Sequence, residues 1–201
     1  MSTLLSEKER RWQELNTTYG SGVVDALGKK IDPGILLLVV ALNALGITTT
    51  ASCEGHLEGS FAPYVDIVCA PPDDERQEAL EALTFAQRLE MTDGEEAALP
   101  YLRAAQERLH ALDQHYHLPV RRCIISWLNT FYSARVGTRY ECQLALRSLI
   151  TFGVVEQLRL ENAGAELLAE EEAAVHAQKL ATYQAEMAAF ALFLKEVYWQ
   201  S

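Results

Sequence analysis

Cysteine, glutamate, glycine and histidine stand together in the segment TTTASCEGHLEG, residues 48–59. Cys53 ends a stretch rich in threonine, and His56 follows three residues later with Gly55 between them. Because glycine permits a tight bend, such a turn can direct the thiol and the imidazole toward one centre. Three kinds of chemistry use such a pair: metal binding, thiolate catalysis and ligand recognition.

A metal site is the first interpretation of this turn. Thiolate and imidazole both bind zinc well, so Cys53 and His56 form a Cys-x-x-His half-site for which zinc is the expected metal. A structural site needs two further ligands, and the sequence offers these candidates: Cys69, Asp66, and His115 or His117. The sequence contains no Cys-x-x-Cys or His-x-x-x-His motif that would complete a recognised pattern.

An enzyme is the second interpretation, with Cys53 and His56 as its metal ligands or as a thiolate-imidazole pair. An imidazolium beside Cys53 favours the reactive thiolate. Glu54 or Asp66 would then orient the imidazole of His56, as the third group of a nucleophilic site does. From the sequence alone, however, no complete catalytic set can be identified.

Ligand recognition is the leading interpretation. Ser52, Cys53, the Gly55 amide and His56 would cradle a small polar or anionic molecule, and a nucleotide is one such ligand. Arg122, placed on a predicted neighbouring strand, would add positive charge, because a guanidinium group suits phosphate and carboxylate. The alternative without chemistry is that Cys53 packs in the core and His56 bonds backbone groups.

Asp66 is the acidic residue of the otherwise apolar segment PYVDIVCA, residues 63–70, which we predict to be a strand. A carboxylate buried in such a strand costs free energy unless it is paired. We therefore expect Asp66 to pair with an arginine, with His56 or with backbone amides. We include it in the ligand-binding set because its strand follows the Cys-His turn.

The segment TTASCEGH, residues 49–56, resembles the Thr-Thr-Ser-Ser-Cys-Ser-Gly-Arg turn of the wybutosine-synthesis methyltransferase family. That family acts on a modified guanosine in tRNA with S-adenosylmethionine, and the resemblance covers eight residues. Glu54 and His56 stand where the family has Ser and Arg, so the resemblance implies a shared turn geometry without the arginine charge. The longer segment LNALGITTTASCEGH, followed by PYVDI, is similar to uncharacterised bacterial proteins and implies no activity. The positions matching the methyltransferase turn are Thr49, Thr50, Ser52, Cys53 and Gly55.

Helices and strands must position the turn, and their order predicts an α+β fold. We expect a central, largely antiparallel sheet of four or five strands packed by helices, in a single domain over residues 1–201. The predicted helices are 7–19, two turns within 23–30, 33–45, 74–91, about 100–113, and a long C-terminal helix over 165–198. The predicted strands are 47–53, 63–70, 121–129, 138–146 and 154–161. Ser6 with Glu9 predicts a capping box, and Asp32 with Pro33 predicts an N-cap and first helical residue.

Composition and length indicate a soluble globular protein. The chain has 201 residues, of which 49% are hydrophobic and 22% charged. Its most apolar run, residues 35–45, is about half the length that crosses a bilayer, and charged residues follow the first Met too soon for a signal peptide. We therefore expect a cytoplasmic protein with no membrane partner. Its four scattered cysteines do not form the framework of a disulfide-rich secreted domain.

The charge is negative overall but unevenly distributed. A net charge of -11 repels nucleic-acid backbones and argues against nucleic-acid binding. Residues 118–150 contain five arginines and one acid, which would form one local cationic surface. The apolar stripe of the C-terminal helix predicts a homodimer, and it also keeps open the alternative of an acidic helical module for protein-protein interaction.

Overall fold

The fold is α+β, as the sequence predicts, with one antiparallel four-stranded sheet and a long C-terminal helix. The computed structural model describes residues 6–58, 61–69, 71–151 and 154–201. The helices are α1 (Glu7–Gly20), α2 (Pro33–Ala44), α3 (Asp73–Asp93), α4 (Glu95–Leu112), α5 (Leu118–Ser133) and α6 (Ala173–Gln200). The strands are β1 (Thr49–Cys53), β2 (Tyr64–Val68), β3 (Leu144–Thr151) and β4 (Val154–Asn162), in the order β1-β2-β4-β3. Among these helices, none is both long enough and apolar enough to cross a membrane.

The chain forms two compact units. Unit 1 comprises the described residues of Met1–Val68, Ile124–Arg147 and Leu158–Ser201. Unit 2 comprises those of Cys69–Cys123 and Ser148–Gln157. Helix α5 and strands β3 and β4 contribute residues to both units, and the single domain over residues 1–201 stays a prediction. The Cys-His turn lies in unit 1.

Local sequence signals explain the first two helices. The Ser6 hydroxyl oxygen accepts the Glu9 amide hydrogen at 3.2 Å, and the Glu9 carboxylate accepts the Ser6 amide hydrogen at 2.7 Å. The predicted capping box is therefore confirmed. Helix α2 begins at Pro33, where a residue without an amide hydrogen leaves no donor unpaired. It packs between α1 and α6 and buries an apolar surface: Ile35, Leu38, Val39, Val40, Ala41, Leu42 and Ala44.

Strands β1 and β2 pair antiparallel and hold the two ends of the Cys-His turn together. Cys53 lies opposite Tyr64, and Ala51 lies opposite Asp66. The connection between the strands leaves β1 directly after Cys53, so the thiol stands at the sheet end where the loop begins. Gly59 and Ala70, which belong to the predicted loop and strand, lie outside the described residues.

The predicted strand over residues 121–129 is wrong, because these residues belong to helix α5. Ile124, Leu128 and Phe131 are buried at spacings of four and three residues, which is the period of a helix face. The isoleucines favour a strand locally, but the longer apolar period decides the structure. Arg122 consequently lies on a helix and not on a strand.

The two helical turns predicted within residues 23–30 are also wrong, since this segment forms a tight hairpin. The Asp25 carboxylate accepts the amide hydrogens of Leu27 and Lys29 at 2.9 and 3.0 Å. An aspartate that bonds nearby backbone donors in this way competes with helix formation. We call residues 24–30 the lysine hairpin, because it presents Lys29 and Lys30.

The C-terminal helix is shorter than predicted. It spans Ala173–Gln200 instead of 165–198, and a 3-10 turn over Ala165–Glu170 precedes it. The apolar stripe is buried within unit 1, where α6 packs on α2. The homodimer that this stripe suggested stays a prediction. The buried members of the stripe are Leu180, Tyr183, Met187, Phe190 and Leu194.

Candidate metal and ligand site

Gly55 sets the geometry of the turn that follows β1. Its φ angle is +84°, a left-handed conformation that side chains with a Cβ rarely adopt. A Cβ atom at this position would approach Leu180 Cδ1 to 2.7 Å and the Pro63 nitrogen to 2.9 Å. Both the backbone angle and the packing therefore require glycine, and the chain bends sharply between Cys53 and His56.

Asp32 joins Cys53 and His56 in one cluster of side chains. The carboxylate oxygen, the thiol sulfur and a ring nitrogen all lie within 4.8 Å of one another. His56 Nε2 is 3.4 Å from Asp32 Oδ2. Nitrogen and oxygen ligands about 2.0–2.2 Å from a tetrahedral zinc ion lie about 3.4 Å apart, so this pair already has the spacing of two zinc ligands.

Glu54 explains why the Asp32 carboxylate is directed at this cluster. Asp32 occupies the N-cap position of α2, as predicted, but its side chain makes no capping bond among the described residues. The Glu54 carboxylate instead accepts the Gly34 amide hydrogen at 2.7 Å. A Cβ on Gly34 would come within 2.5 Å of Glu54 Oε2, so glycine leaves room for this substitute cap. The Asp32 side chain is thereby released from capping.

Hydrogen bonds hold Asp32, Cys53 and the backbone of the turn in place. The Glu54 amide donates to Asp32 Oδ2 at 3.1 Å, and the Gly55 amide donates to Cys53 Sγ at 3.3 Å. Gln184, on α6, donates to the carbonyl oxygens of Glu54 and Gly55 at 3.1 and 3.3 Å. Such outer hydrogen bonds orient metal ligands and stabilise their anionic forms.

The surroundings of the Cys53 thiol favour its protonated form. Burial raises the pKa of this thiol, the Gly55 amide lowers it in part, and the Asp32 carboxylate raises it further. Without a metal, the group is therefore a neutral thiol at physiological pH. A bound cation would displace the proton, because a metal coordinates the thiolate. The arrangement favours a metal ligand over a free nucleophile.

A cavity of about 630 Å³ opens over the cluster. The predicted residues Ser52, Cys53, Gly55 and His56 all line it, and so does Asp32. Cavities of roughly 300–1,000 Å³ are typical of small-molecule sites. The side chain of His56 is 47% exposed and that of Asp32 is 29% exposed, so both are accessible to a ligand that enters the cavity.

Asp66, the fifth predicted residue, has a partner of its own. Both carboxylate oxygens accept hydrogen bonds from Arg159 on β4, at 2.7 and 2.8 Å. Pairing of Asp66 with an arginine is thus confirmed. The Arg159 guanidinium also lies 4.0 Å from the centre of the Tyr64 ring. Arg159 neutralises a buried carboxylate and fixes β2 to β4, beside the end of β1 that carries Cys53.

Other predicted residues belong to unit 2. Arg122 lies there on α5, and its role in ligand binding stays a prediction. Cys69 and His115, two of the predicted extra metal ligands, are also in this unit. The third, His117, is buried and has its Nδ1 atom 2.9 Å from Asp113 Oδ1.

Asp32 is the candidate metal ligand that sequence reasoning missed. The Asp-Pro pair indicated a helix cap, and the residue lies 21 positions before Cys53. The sequence signal that could have indicated Asp32 was Glu54, an acidic residue within the turn that can cap a helix in its place. Only its bond to the start of α2 reveals that it takes over the capping role.

Comparison with known proteins does not assign this chain to a family. The chain matches no protein-family model, and no curated protein or solved structure is significantly similar to it. The resemblance of the turn to the wybutosine-synthesis methyltransferases stays a prediction. The function therefore has to be inferred from the side chains of the site.

Proposed function

We propose that Asp32, Cys53 and His56 bind one divalent metal ion, and that the metal and the Ser52–His56 turn bind a small polar or anionic ligand. The observation that carries this proposal is the cluster of three ligand atoms within 4.8 Å on the wall of a cavity of about 630 Å³. Zinc is the metal of choice, because it combines thiolate, imidazole and carboxylate ligands in tetrahedral sites. A nucleotide remains one of the ligands that such a cavity would admit.

The number of ligands supports a functional and not a purely structural metal. Structural zinc sites are closed by four protein ligands, whereas functional sites keep a position open for water or substrate. The described residues supply three ligand groups here, and all three line the cavity. A ligand in the cavity would therefore reach the fourth position.

Metal-assisted hydrolysis is the second candidate function. Three protein ligands and an open position are the arrangement in which zinc lowers the pKa of bound water toward neutrality. We rank this candidate above the thiolate enzyme, since burial raises the pKa of the Cys53 thiol. The interaction-module alternative loses its main support, because the apolar stripe of α6 is buried in unit 1.

The test is the metal content of purified, untagged protein, measured by plasma mass spectrometry. We expect close to one zinc per chain after equilibration with zinc and desalting. The Cys53→Ser and His56→Ala variants should lose the metal, because a site with two remaining ligands binds it far more weakly. Cys123→Ser is the matched control, since Cys123 is a partly exposed free cysteine on α5.

Two outcomes separate the alternatives. Stoichiometric zinc in the wild type and in Cys123→Ser, together with its loss in Cys53→Ser, supports the metal site. Equal metal contents in all four proteins contradict it, because the metal would then be bound elsewhere. Hydrolysis of 4-nitrophenyl acetate that depends on zinc and on Cys53 would favour the second candidate over binding alone.

A further inference from the structure

We infer that the ligand of this cavity is an amphipathic oxyanion, a carboxylate or phosphate monoester joined to one apolar ring or branched chain. The inference rests on the proposed metal site, because the anionic group would bind between the metal and two lysines. It goes further by assigning a separate part of the cavity wall to each half of the ligand. One part is cationic and the other is apolar.

The cationic part is the lysine hairpin. The Asp25 amide donates to the Lys29 carbonyl oxygen at 2.7 Å, which closes the hairpin. The Ala26 amide donates to the Thr50 carbonyl oxygen at 2.8 Å, which attaches the hairpin to β1. Lys29 and Lys30 both line the cavity. The structure gives neither of them an ion-pair partner in residues 6–58, 61–69, 71–151 or 154–201.

The charge balance of the cavity favours one small anionic group. The Asp32 carboxylate and the Cys53 thiolate together neutralise a divalent metal. Of the remaining lining side chains, Lys29 and Lys30 are cationic and Glu58 is anionic, which leaves a net charge of +1. This balance attracts a carboxylate or a single phosphate and repels a cation. It does not match the charge of a polyphosphate, so we do not expect a nucleoside triphosphate.

The apolar part is the rim of the same cavity. Leu27, Leu57 and Phe61 line it, and they are 61%, 56% and 58% exposed. Single exposed apolar side chains are common, but three around one cavity form a surface that a ligand can cover. Small and aliphatic side chains of α6, including Ala177 and Ala181, complete the lining and leave room for a ring.

The apolar rim and the cavity volume together argue that an inorganic anion alone does not fill this cavity. Phosphate alone would contact the metal and the lysines but would leave Leu57 and Phe61 exposed to water. Removing apolar surface from water favours association, so an attached ring should strengthen binding. A cavity of about 630 Å³ has room for both parts.

The test is isothermal titration calorimetry of zinc-loaded protein with three probes: 1-naphthyl phosphate, inorganic phosphate and 1-naphthol. We expect 1-naphthyl phosphate to bind at least about tenfold more tightly than either partial probe. The Lys29→Gln/Lys30→Gln double variant should weaken 1-naphthyl phosphate about tenfold and leave 1-naphthol unchanged. Phe61→Ser should weaken both naphthyl probes and leave inorganic phosphate unchanged.

Lys195→Gln is the matched control for the lysine variant, and Leu192→Ser, which changes an exposed leucine, is the matched control for Phe61→Ser. Both residues belong to α6 and do not line the cavity. Equal affinities for 1-naphthyl phosphate and inorganic phosphate would overturn the inference. Undetectable binding of all three probes would overturn it as well. The zinc content of each sample is measured in parallel. Bound zinc without probe binding overturns only the ligand assignment, whereas probe binding without any zinc contradicts the proposed metal site.

Discussion

The Glu54 amide donates a hydrogen bond to Asp32 Oδ2 at 3.1 Å, while the Glu54 carboxylate caps helix α2 through Gly34 at 2.7 Å. One residue therefore performs two tasks. Its side chain satisfies the helix start that Asp32 would otherwise cap, and its backbone holds the released Asp32 carboxylate toward Cys53 and His56. The proposed metal site depends on this exchange of capping roles.

Replacing Glu54 by alanine should weaken metal binding without unfolding the protein. The helix start would again attract the Asp32 carboxylate, because its first amide hydrogens lack another acceptor. We expect zinc affinity to fall by about tenfold or more, as for the loss of other groups that orient metal ligands. Competition with a chromophoric chelator measures the affinity, and Glu14→Ala, which changes an exposed acid of α1 that does not line the cavity, is the control.

Gly34→Ala should also weaken zinc binding, because its added Cβ would displace the Glu54 carboxylate from the start of α2. The new methyl group would meet the flexible end of Glu54, which can move aside, so the stability should change by less than about 1 kcal/mol. Zinc affinity should nevertheless fall, because the displaced carboxylate no longer caps α2. Unchanged zinc affinity in both Gly34→Ala and Glu54→Ala would show that Asp32 does not need this exchange.

Gly55→Ala should destabilise the fold by about 2–4 kcal/mol, the sum of an unfavourable φ angle and a steric overlap. Gly46→Ala is a closely matched control. Gly46 has a φ angle of +85°, against +84° for Gly55, but among the described residues no atom beyond its chain neighbours lies within 4 Å of its added Cβ. We expect Gly46→Ala to lower the free energy of unfolding by about 1 kcal/mol, from the backbone angle alone. Urea denaturation of both variants compares the two, and equal losses would contradict a packing role for Gly55.

Breaking the Asp66–Arg159 pair should destabilise unit 1 strongly. Only 6% of the Asp66 side chain is exposed, so Arg159→Met would leave an uncompensated buried carboxylate. Removing one partner of a buried ion pair costs about 3–5 kcal/mol. The Asp66→Val/Arg159→Met double variant should recover most of this loss in urea denaturation. If it does not, the arginine stabilises the fold mainly by packing on Tyr64.

Metal removal should expose Cys53 to alkylation with a characteristic pH dependence. Bound zinc blocks the thiolate, and after chelation the thiol is protonated at neutral pH because burial raises its pKa. Its reaction with iodoacetamide should therefore accelerate as the pH rises above 8, by about tenfold per pH unit below the pKa. Peptide mass spectrometry follows each cysteine separately. Fast alkylation at pH 6 would instead indicate a pKa below the ordinary value and support the thiolate nucleophile.

Cys69 serves as the internal reference in that experiment. Its side chain is buried, and burial raises the pKa of this thiol to about 11. It should stay unmodified at pH 8 in both the zinc-loaded and the chelated protein. Modification of Cys69 at pH 8 would mean that chelation has unfolded the protein. The alkylation of Cys53 would then be measured again with a weaker chelator.

The sequence by itself determined the features that depend on neighbouring residues. The Ser6 and Glu9 capping box, the start of α2 at Pro33 and the glycine turn at Gly55 all follow from local hydrogen bonding and backbone sterics. For the same reason the sequence predicted that a turn through Gly55 can direct Cys53 and His56 toward one centre, but only the structure shows that their side chains lie in one cluster.

Local signals failed where longer-range packing outweighed them. The isoleucines of residues 121–129 favour a strand, yet burial of Ile124, Leu128 and Phe131 on one face makes α5 a helix. In residues 23–30 the competing bonds were themselves local, because the Asp25 carboxylate binds the amides of Leu27 and Lys29 and so outweighs the helical composition.

Only the tertiary structure decided which distant side chains complete the site. Asp32 meets Cys53 because α2 starts beside the end of β1, and Arg159 meets Asp66 across 93 residues because β4 lies next to β2. The lysine hairpin faces the same cavity through its bond to β1. Sequence spacing carries no information about such contacts, because they arise from the packing of whole elements and not from the conformation of a single turn.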